Sequence, residues 1–191
     1  MVDTCAADEF SRVWASVLVD GDDLSKGFKP WLTENVGGTA NDFETVAYGG
    51  PKDLRYPILA VAMVKVGKKL LLCSPFATME GQKHIPNVTD CKVYLYADAS
   101  ASVVRSIIGD KQAVRALQVP QLNEWVYGKE FGVFSYEKTW EKAQLDPWII
   151  FHTSCTTGLP RSILYKNLMM VQLDATEITP DADVETMSDH L

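Results

Sequence analysis

Apolar positions along the chain follow two rhythms that keep exchanging places. Phe10, Val13, Trp14, Val17 and Leu18 recur at the spacing of one helical face, and Asp20-Gly21-Asp22-Asp23 stops that helix. Residues 28–32 predict a second helical segment, with Gly37-Gly38 as a turn. Residues 43–48 then read as a short strand closed by Gly49-Gly50-Pro51. Asp53 is the expected N-cap of a helix from residue 54 to about 66, with Pro57 near its first turn, where a missing N–H costs little. The run 58–64 is apolar all round, which predicts a helix buried on most sides. Gly67 fits its C-terminal cap, and Lys68-Lys69 suit the negative end of its dipole.

The alternation continues downstream. Residues 70–73 predict a buried strand ended by Ser74-Pro75. A helix from Thr78 to about Asn87 follows, cut short by Pro86. Strands are expected at 91–96 and 116–119, with a helix at 103–108 between them and Gly109-Asp110 closing it. Short helices at 122–127 and 139–145 lead to a fifth strand at 148–153. Strands separated by helices mean βαβ units, so the expected class is α/β, a mainly parallel sheet with flanking helices.

Composition narrows the class of partner. The chain has 191 residues, enough for one sizeable core at about 100–200 residues per domain. Its net charge of −7 is uneven: all 18 basic residues and 19 of the 25 acidic ones lie before residue 167. The body is nearly neutral and carries no basic stripe, so nucleic acid is not an expected partner. The six remaining acidic residues fall in the stretch after Lys166. From residue 173 on, that stretch is polar and aperiodic, and is expected to be a disordered, solvated tail. No run of about 20 uncharged apolar residues predicts a membrane span, and the N-terminus has no secretory pattern; a cytoplasmic location is expected. The four cysteines, Cys5, Cys73, Cys91 and Cys155, have no Cys-x-x-Cys pair, which argues against a zinc site and a disulfide framework. Cys73 and Cys91 are expected as small core residues.

Candidate chemistry concentrates where the fifth strand ends. The run Ile149-Ile150-Phe151-His152 passes into Thr153-Ser154-Cys155-Thr156-Thr157-Gly158-Leu159-Pro160-Arg161. Four hydroxyls within five positions supply donors without bulk, Gly158 relaxes the backbone, and Arg161 adds a fixed charge. Such a loop suits a phosphate group. Hydroxyl residues are also common in plain strand-to-helix connections, and composition alone leaves both readings open. Elsewhere, Asp20, Asp22 and Asp23 lack the twelve-residue calcium pattern, and His84 and His190 have no partner at ligand spacing. Tyr48, Tyr56, Trp125 and Trp140 read as core or boundary aromatics.

Seven of the nine positions from Thr153 to Arg161 resemble the phosphate loop of the adenylate-forming (AMP-binding) superfamily, Thr-Ser-Gly-Ser/Thr-Thr-Gly-x-Pro-Lys. The superfamily includes acyl-CoA synthetases, luciferases and the adenylation domains of nonribosomal peptide synthetases. Ala47-Tyr48-Gly49-Gly50-Pro51-Lys52-Asp53-Leu54-Arg55-Tyr56-Pro57-Ile58 and Ala116-Leu117-Gln118-Val119-Pro120-Gln121-Leu122-Asn123-Glu124-Trp125 are similar to one branch, the fungal synthetase-like enzymes and reductases akin to aminoadipate reductase. The resemblance runs from about residue 28 to about 164. It implies part of the large N-terminal domain, here residues 1–172, followed by the acidic tail 173–191.

By position, the resemblance implies that Thr153, Ser154, Thr156, Thr157 and Gly158 hold the phosphates of ATP, with Arg161 as the cation and Mg²⁺ sharing the charge. The family joins a carboxylate to the α-phosphate of ATP. Cys155 stands where the family has glycine, and Arg161 where it has lysine. Cys155 has no histidine nearby other than His152, which is expected to point off its strand; it does not read as a nucleophile. The family's aromatic-Gly-x-Thr-Glu and Thr-Gly-Asp segments and the lysine of its small C-terminal domain do not occur in these 191 residues. The expectation is therefore nucleotide binding that is weak or absent, no catalytic or metal-ligating residue, and no turnover by this chain alone. The alternative is a non-catalytic protein that uses the α/β scaffold to bind another chain or itself.

Overall fold

A helix of eight residues, α1 (Lys29–Val36), opens the computed structural model, which describes residues 29–37, 41–109, 113–127, 136, 138–153 and 159–169. The expected helix at 10–18, the aspartates at 20, 22 and 23, Cys5, Cys155, His190 and the tail from 173 lie outside the described residues. After α1 the order is β1 (Thr45–Gly49), α2 (Arg55–Val66), β2 (Lys69–Leu72), α3 (Met79–Val88) and β3 (Cys91–Tyr96). A 3-10 turn leads into α4 (Ala101–Ile108), then β4 (Arg115–Gln118), α5 (Leu122–Tyr127), α6 (Trp140–Ala143), β5 (Pro147–His152) and β6 (Ser162–Lys166).

The six strands form one sheet in the order β4-β3-β1-β2-β5-β6. Every pair is parallel except the last, in which β6 runs antiparallel to β5. The α/β class is as the alternation predicts. The edge strand β6 was not predicted; Ile163, Leu164 and Tyr165 are strand formers, but three residues between a loop and a polar stretch are too short a signal.

Strand residues alternate between two helical layers. Val46, Tyr48, Leu70, Val93, Leu95 and Ile149 face α1 and α2, where they meet Leu32, Val36, Ile58, Leu59 and Met63. Ala47, Leu71, Tyr94 and Ile150 face α3 and α4, meeting Ile85, Val104 and Ile107. An extra residue at Lys92 shifts the register between Cys91 and Val93 against Thr45 and Val46, which turns Cys91 to the α3/α4 side. The layer under α2 explains the unbroken apolar run: Ile58, Leu59, Ala62 and Met63 are almost wholly buried, as expected for a helix covering the middle of a sheet.

Three local expectations are corrected by tertiary structure. Asp53 is not the N-cap of α2, which starts one residue later at a Leu54 cap; its carboxylate instead accepts the Arg55 N–H at 3.0 Å and pairs with the Arg55 guanidinium at 2.6 Å. Arg55 thereby holds the Asp53 carboxyl below its usual range. Pro86 does not end α3, which continues to Val88 and closes at Thr89, whose N–H and hydroxyl both reach Ile85 O. The expectation for Lys68 is incomplete: beside the C-terminal end of α2 it is buried, and its ammonium reaches Asp42 at 2.5 Å and Glu44 at 3.4 Å.

Gly67 caps α2 as expected. It lies in the left-handed region at φ 67°, with its N–H on Met63 O and Val64 O. Its own carbonyl accepts from Phe43 N–H at 3.0 Å, so the cap also ties the entry to β1 against the exit of α2. The C-terminal carbonyls of α1 are served from a distance: the Arg115 guanidinium on β4 donates to Asn35 O at 3.3 Å and to Val36 O.

Candidate functional site

The carboxyl ends of β1, β2 and β5 lie side by side, and all the candidate chemistry among the described residues gathers there. β1 ends in Gly49 and Gly50, neither at positive φ. Their smallness serves space rather than angle. A Cβ on Gly49 would lie 3.1 Å from the Tyr94 ring, and one on Gly50 2.1 Å from the Tyr48 hydroxyl. The two tyrosines press on the strand end from opposite faces, as the alternation of β1 and β3 requires. Tyr48 stacks edge-on against Tyr56 at 5.0 Å, and its buried hydroxyl has no hydrogen-bond partner among the described residues. Tyr56 donates to Gly50 O at 3.2 Å, which fixes the β1–α2 loop. Tyr48, Tyr56 and Trp140 are core or boundary residues as expected; the side chain of Trp125 lies outside the described residues.

β5 delivers the phosphate-type loop. Thr153 N–H donates to Arg161 O at 3.0 Å, and Arg161 N–H returns to Thr153 Oγ1 at 3.1 Å. These two bonds close the stems of the loop. Pro160 is buried where it would touch a Cβ at Gly81, so the far stem rests on the first turn of α3. Arg161 itself is exposed, and no ion pair to it is present among the described residues. Of the six residues singled out in sequence, the structure places Thr153 and Arg161 at these stems. Ser154, Thr156, Thr157 and Gly158 lie outside the described residues.

His152, one residue before the loop, bridges two strand ends. Its Nε2 accepts the Ser74 N–H at 3.0 Å, and Nδ1 sits 3.3 Å from Thr153 O. With Nε2 accepting from Ser74, Nδ1 is the ring nitrogen left to face the Thr153 carbonyl. The expectation that His152 merely points off the strand misses this bridge, which no local pattern encodes.

Between these strand ends opens a cavity of about 690 Å³. Its walls are mainly apolar, with Leu54, Tyr56, Leu72, Phe76 and Phe151 among them, and its polar side chains include Lys52, Asp53, Ser74 and His152. The loop 74–78 is held by its own turn: Ser74 Oγ accepts Phe76 N–H at 3.3 Å, and Thr78 Oγ1 accepts Gly81 N–H at 3.1 Å. That turn holds the Phe76 ring out at 82% exposure, with the Lys52 ammonium 4.8 Å from its centroid.

Cys73 lines the strand-end cavity, whereas Cys91 opens β3 at the opposite end of the sheet. Burial pushes the Cys73 thiol up to about 12 and Cys91 up to about 11, which favours the protonated thiol over the reactive thiolate. Among the described residues, no group of three or more His, Cys, Asp or Glu is placed to hold a metal ion, and no helix is long and apolar enough to cross a membrane.

Comparison with known proteins agrees with this architecture. No family model matches the chain. It is 31% identical over 196 residues to the isocyanide synthase–NRPS hybrid crmA of Aspergillus fumigatus, an alignment covering 94% of this chain and 13% of that protein. It is 33% identical over 144 residues to a carboxylic acid reductase of Neurospora crassa, covering 75% of this chain and 14% of that protein. The chain thus spans about one seventh of these relatives. Among solved structures, the N-terminal domain of FACL13 from Mycobacterium tuberculosis superposes with a TM-score of 0.59 at 20% identity, covering 78% of this chain and 37% of that one. The sheet and its flanking helices are those of the N-terminal domain of adenylate-forming enzymes. The chain matches part of that domain of the adenylate-forming superfamily.

Proposed function

We propose that the chain is the phosphate-loop-bearing part of an adenylation domain, related to ATP-dependent activation of carboxylates as acyl-AMP. The observation that carries this reading is the closed loop at the end of β5, with Thr153 and Arg161 bonded across its stems and an exposed guanidinium without an ion pair among the described residues. The donor set suits a polyphosphate: a charged fork, neighbouring hydroxyls, and a carboxyl-end position on a parallel sheet. Thr153, Ser154, Thr156, Thr157 and Gly158 would hold phosphate oxygens and Arg161 would offset their charge, with Mg²⁺ carried in by the nucleotide. What bound ATP supplies in the family is a leaving pyrophosphate. What this chain supplies is position and positive potential.

Ordering the loop opposes the gain from a few charge-assisted bonds, so affinity should be low. Titration calorimetry with Mg²⁺–ATP and with tripolyphosphate is expected to give dissociation constants on the order of 1 mM or weaker. Arg161→Ala should weaken both ligands together, because the contact is to phosphate and not to the base. Equal affinity in the Arg161→Ala chain would overturn the loop assignment.

A second reading is favoured by β6. It is an edge strand with Ile163 and Leu164 exposed, and Leu159 is exposed beside it. Unpaired edges carrying apolar side chains pair with other strands, so self-association through β6 is proposed for the 191-residue chain. Sedimentation should show concentration-dependent oligomers that Leu164→Lys reduces. A monomer at all concentrations would remove this reading.

A further inference from the structure

β6 is the outermost strand of the sheet, and its register with β5 fixes what it offers to a neighbour. Thr153 N–H donates to Arg161 O and Asn167 N–H to Asp146 O, so Arg161, Ile163, Tyr165 and Asn167 direct their backbone groups inward. Ser162, Leu164 and Lys166 therefore direct theirs outward, to the open edge. The side chains sort by face. Phe151, Ile163 and Tyr165 lie on the α2 side, with the Phe151 and Tyr165 rings edge-on at 5.1 Å, and Leu164 lies with Ile150 on the α3 side. Open edges are commonly guarded by proline or charge along the strand. Here Pro160 and Arg161 precede the strand and Lys166 ends it, which leaves Ile163, Leu164 and Tyr165 unguarded.

We propose that a second copy of this chain seats on this edge, β6 antiparallel to β6 about a two-fold axis at Leu164. The inference rests on the β6 self-association reading above and gives it a register. With Leu164 opposite its own copy, Ser162 stands opposite Lys166 of the second copy, and the reverse. Every outward residue then meets an outward residue, each pair exchanging both N–H···O bonds. Ile163 faces Tyr165 of the second copy at the closer, non-hydrogen-bonded spacing, an aromatic–β-branched pair that favours strand pairing. These pairs extend the Phe151–Tyr165 contact across the axis into one apolar strip. Charge selects the same register. Lys166 meets a hydroxyl, Arg161 falls opposite Asn167, and no like charges oppose each other. Moving the axis to Ile163 would set Lys166 opposite Pro160, which has no N–H to donate. Moving it to Tyr165 would set the buried Asn167 opposite Ile163. An isologous contact of this kind closes on itself, so two six-stranded sheets join into one and the assembly stops at the dimer.

The test is sedimentation of the full chain across a concentration series, with a charge cycle at the two positions that the register pairs. The unmodified chain should pass from monomer to dimer and stop there. Ser162→Lys sets a lysine opposite Lys166 at both ends of the ladder and should weaken the dimer about fivefold. Ser162→Glu should tighten it by a similar factor. Ser162→Lys combined with Lys166→Glu should recover at least the affinity of the unmodified chain. Both positions are exposed, so the melting curve of the monomer will stay unchanged while the association constant moves. A monomer at every concentration would overturn the pairing and the β6 reading with it. Association that Ser162→Lys leaves unchanged, or that the double variant fails to recover, would overturn the register alone. Species beyond the dimer would overturn the two-fold axis.

Discussion

Gly67→Ala is expected to destabilise the fold by about 2–5 kcal/mol in urea unfolding. Two costs combine. Alanine in the left-handed region costs about 1–2 kcal/mol, because its Cβ crowds the following carbonyl. The second cost is contact: a Cβ at Gly67 would lie 2.5 Å from Asn41 N and 2.7 Å from its Cα, and backbone atoms cannot rotate away. Forcing them apart resembles overpacking, at about 1–3 kcal/mol. The displaced segment also carries Asp42 and Glu44, the partners of buried Lys68, so the clash loosens a charge cluster as well. Gly37 is the internal control. It has φ 70° but no described atom within 4 Å of its would-be Cβ, so Gly37→Ala should cost the conformational part alone, about 1–2 kcal/mol. Equal losses at the two glycines would mean that residue 41 does not press on the cap.

The cap illustrates which parts of the fold the sequence carries. Gly67 after a twelve-residue apolar helix is a local signal, and the structure places it as C-cap. The strand–helix alternation is local too, and each of the five parallel strands lies within a residue or two of its expected span. What local pattern lacks is the partner. Lys68 following the cap reads as a dipole cation, yet Asp42, 26 positions upstream, claims it. Pro86 reads as a stop, but burial of Ile85 against the sheet and the Thr89 cap carry α3 two residues further. β6 exists because β5 offers it an edge, a fact written in neither strand alone.

The site divides in the same way. Thr153 and Arg161 are legible as a motif, since their chemistry is consecutive in the chain. The cavity is not. Lys52 and Phe76 come from two loops and Phe151 from the end of β5, and only the β1-β2-β5 order brings them together. His152 was visible as a histidine, but its bond to Ser74, 78 positions away, depends on the same strand order.

Adenylation demands that phosphates, base, ribose and carboxylate be held at once, because positioning and preorganised charge supply most of the rate. These 191 residues bear a run resembling the family's phosphate loop, with Cys155 and Arg161 in place of glycine and lysine, and the other family segments named above do not occur in them. The most direct test is exchange of labelled pyrophosphate into ATP by this chain, with a pool of amino, aryl and fatty acids, beside a Cys155→Gly, Arg161→Lys double variant. Both proteins are expected to stay at background, while tripolyphosphate binding persists and remains sensitive to residue 161. Exchange clearly above background by the unmodified chain would contradict the account, since it would require a complete adenylation site within these residues.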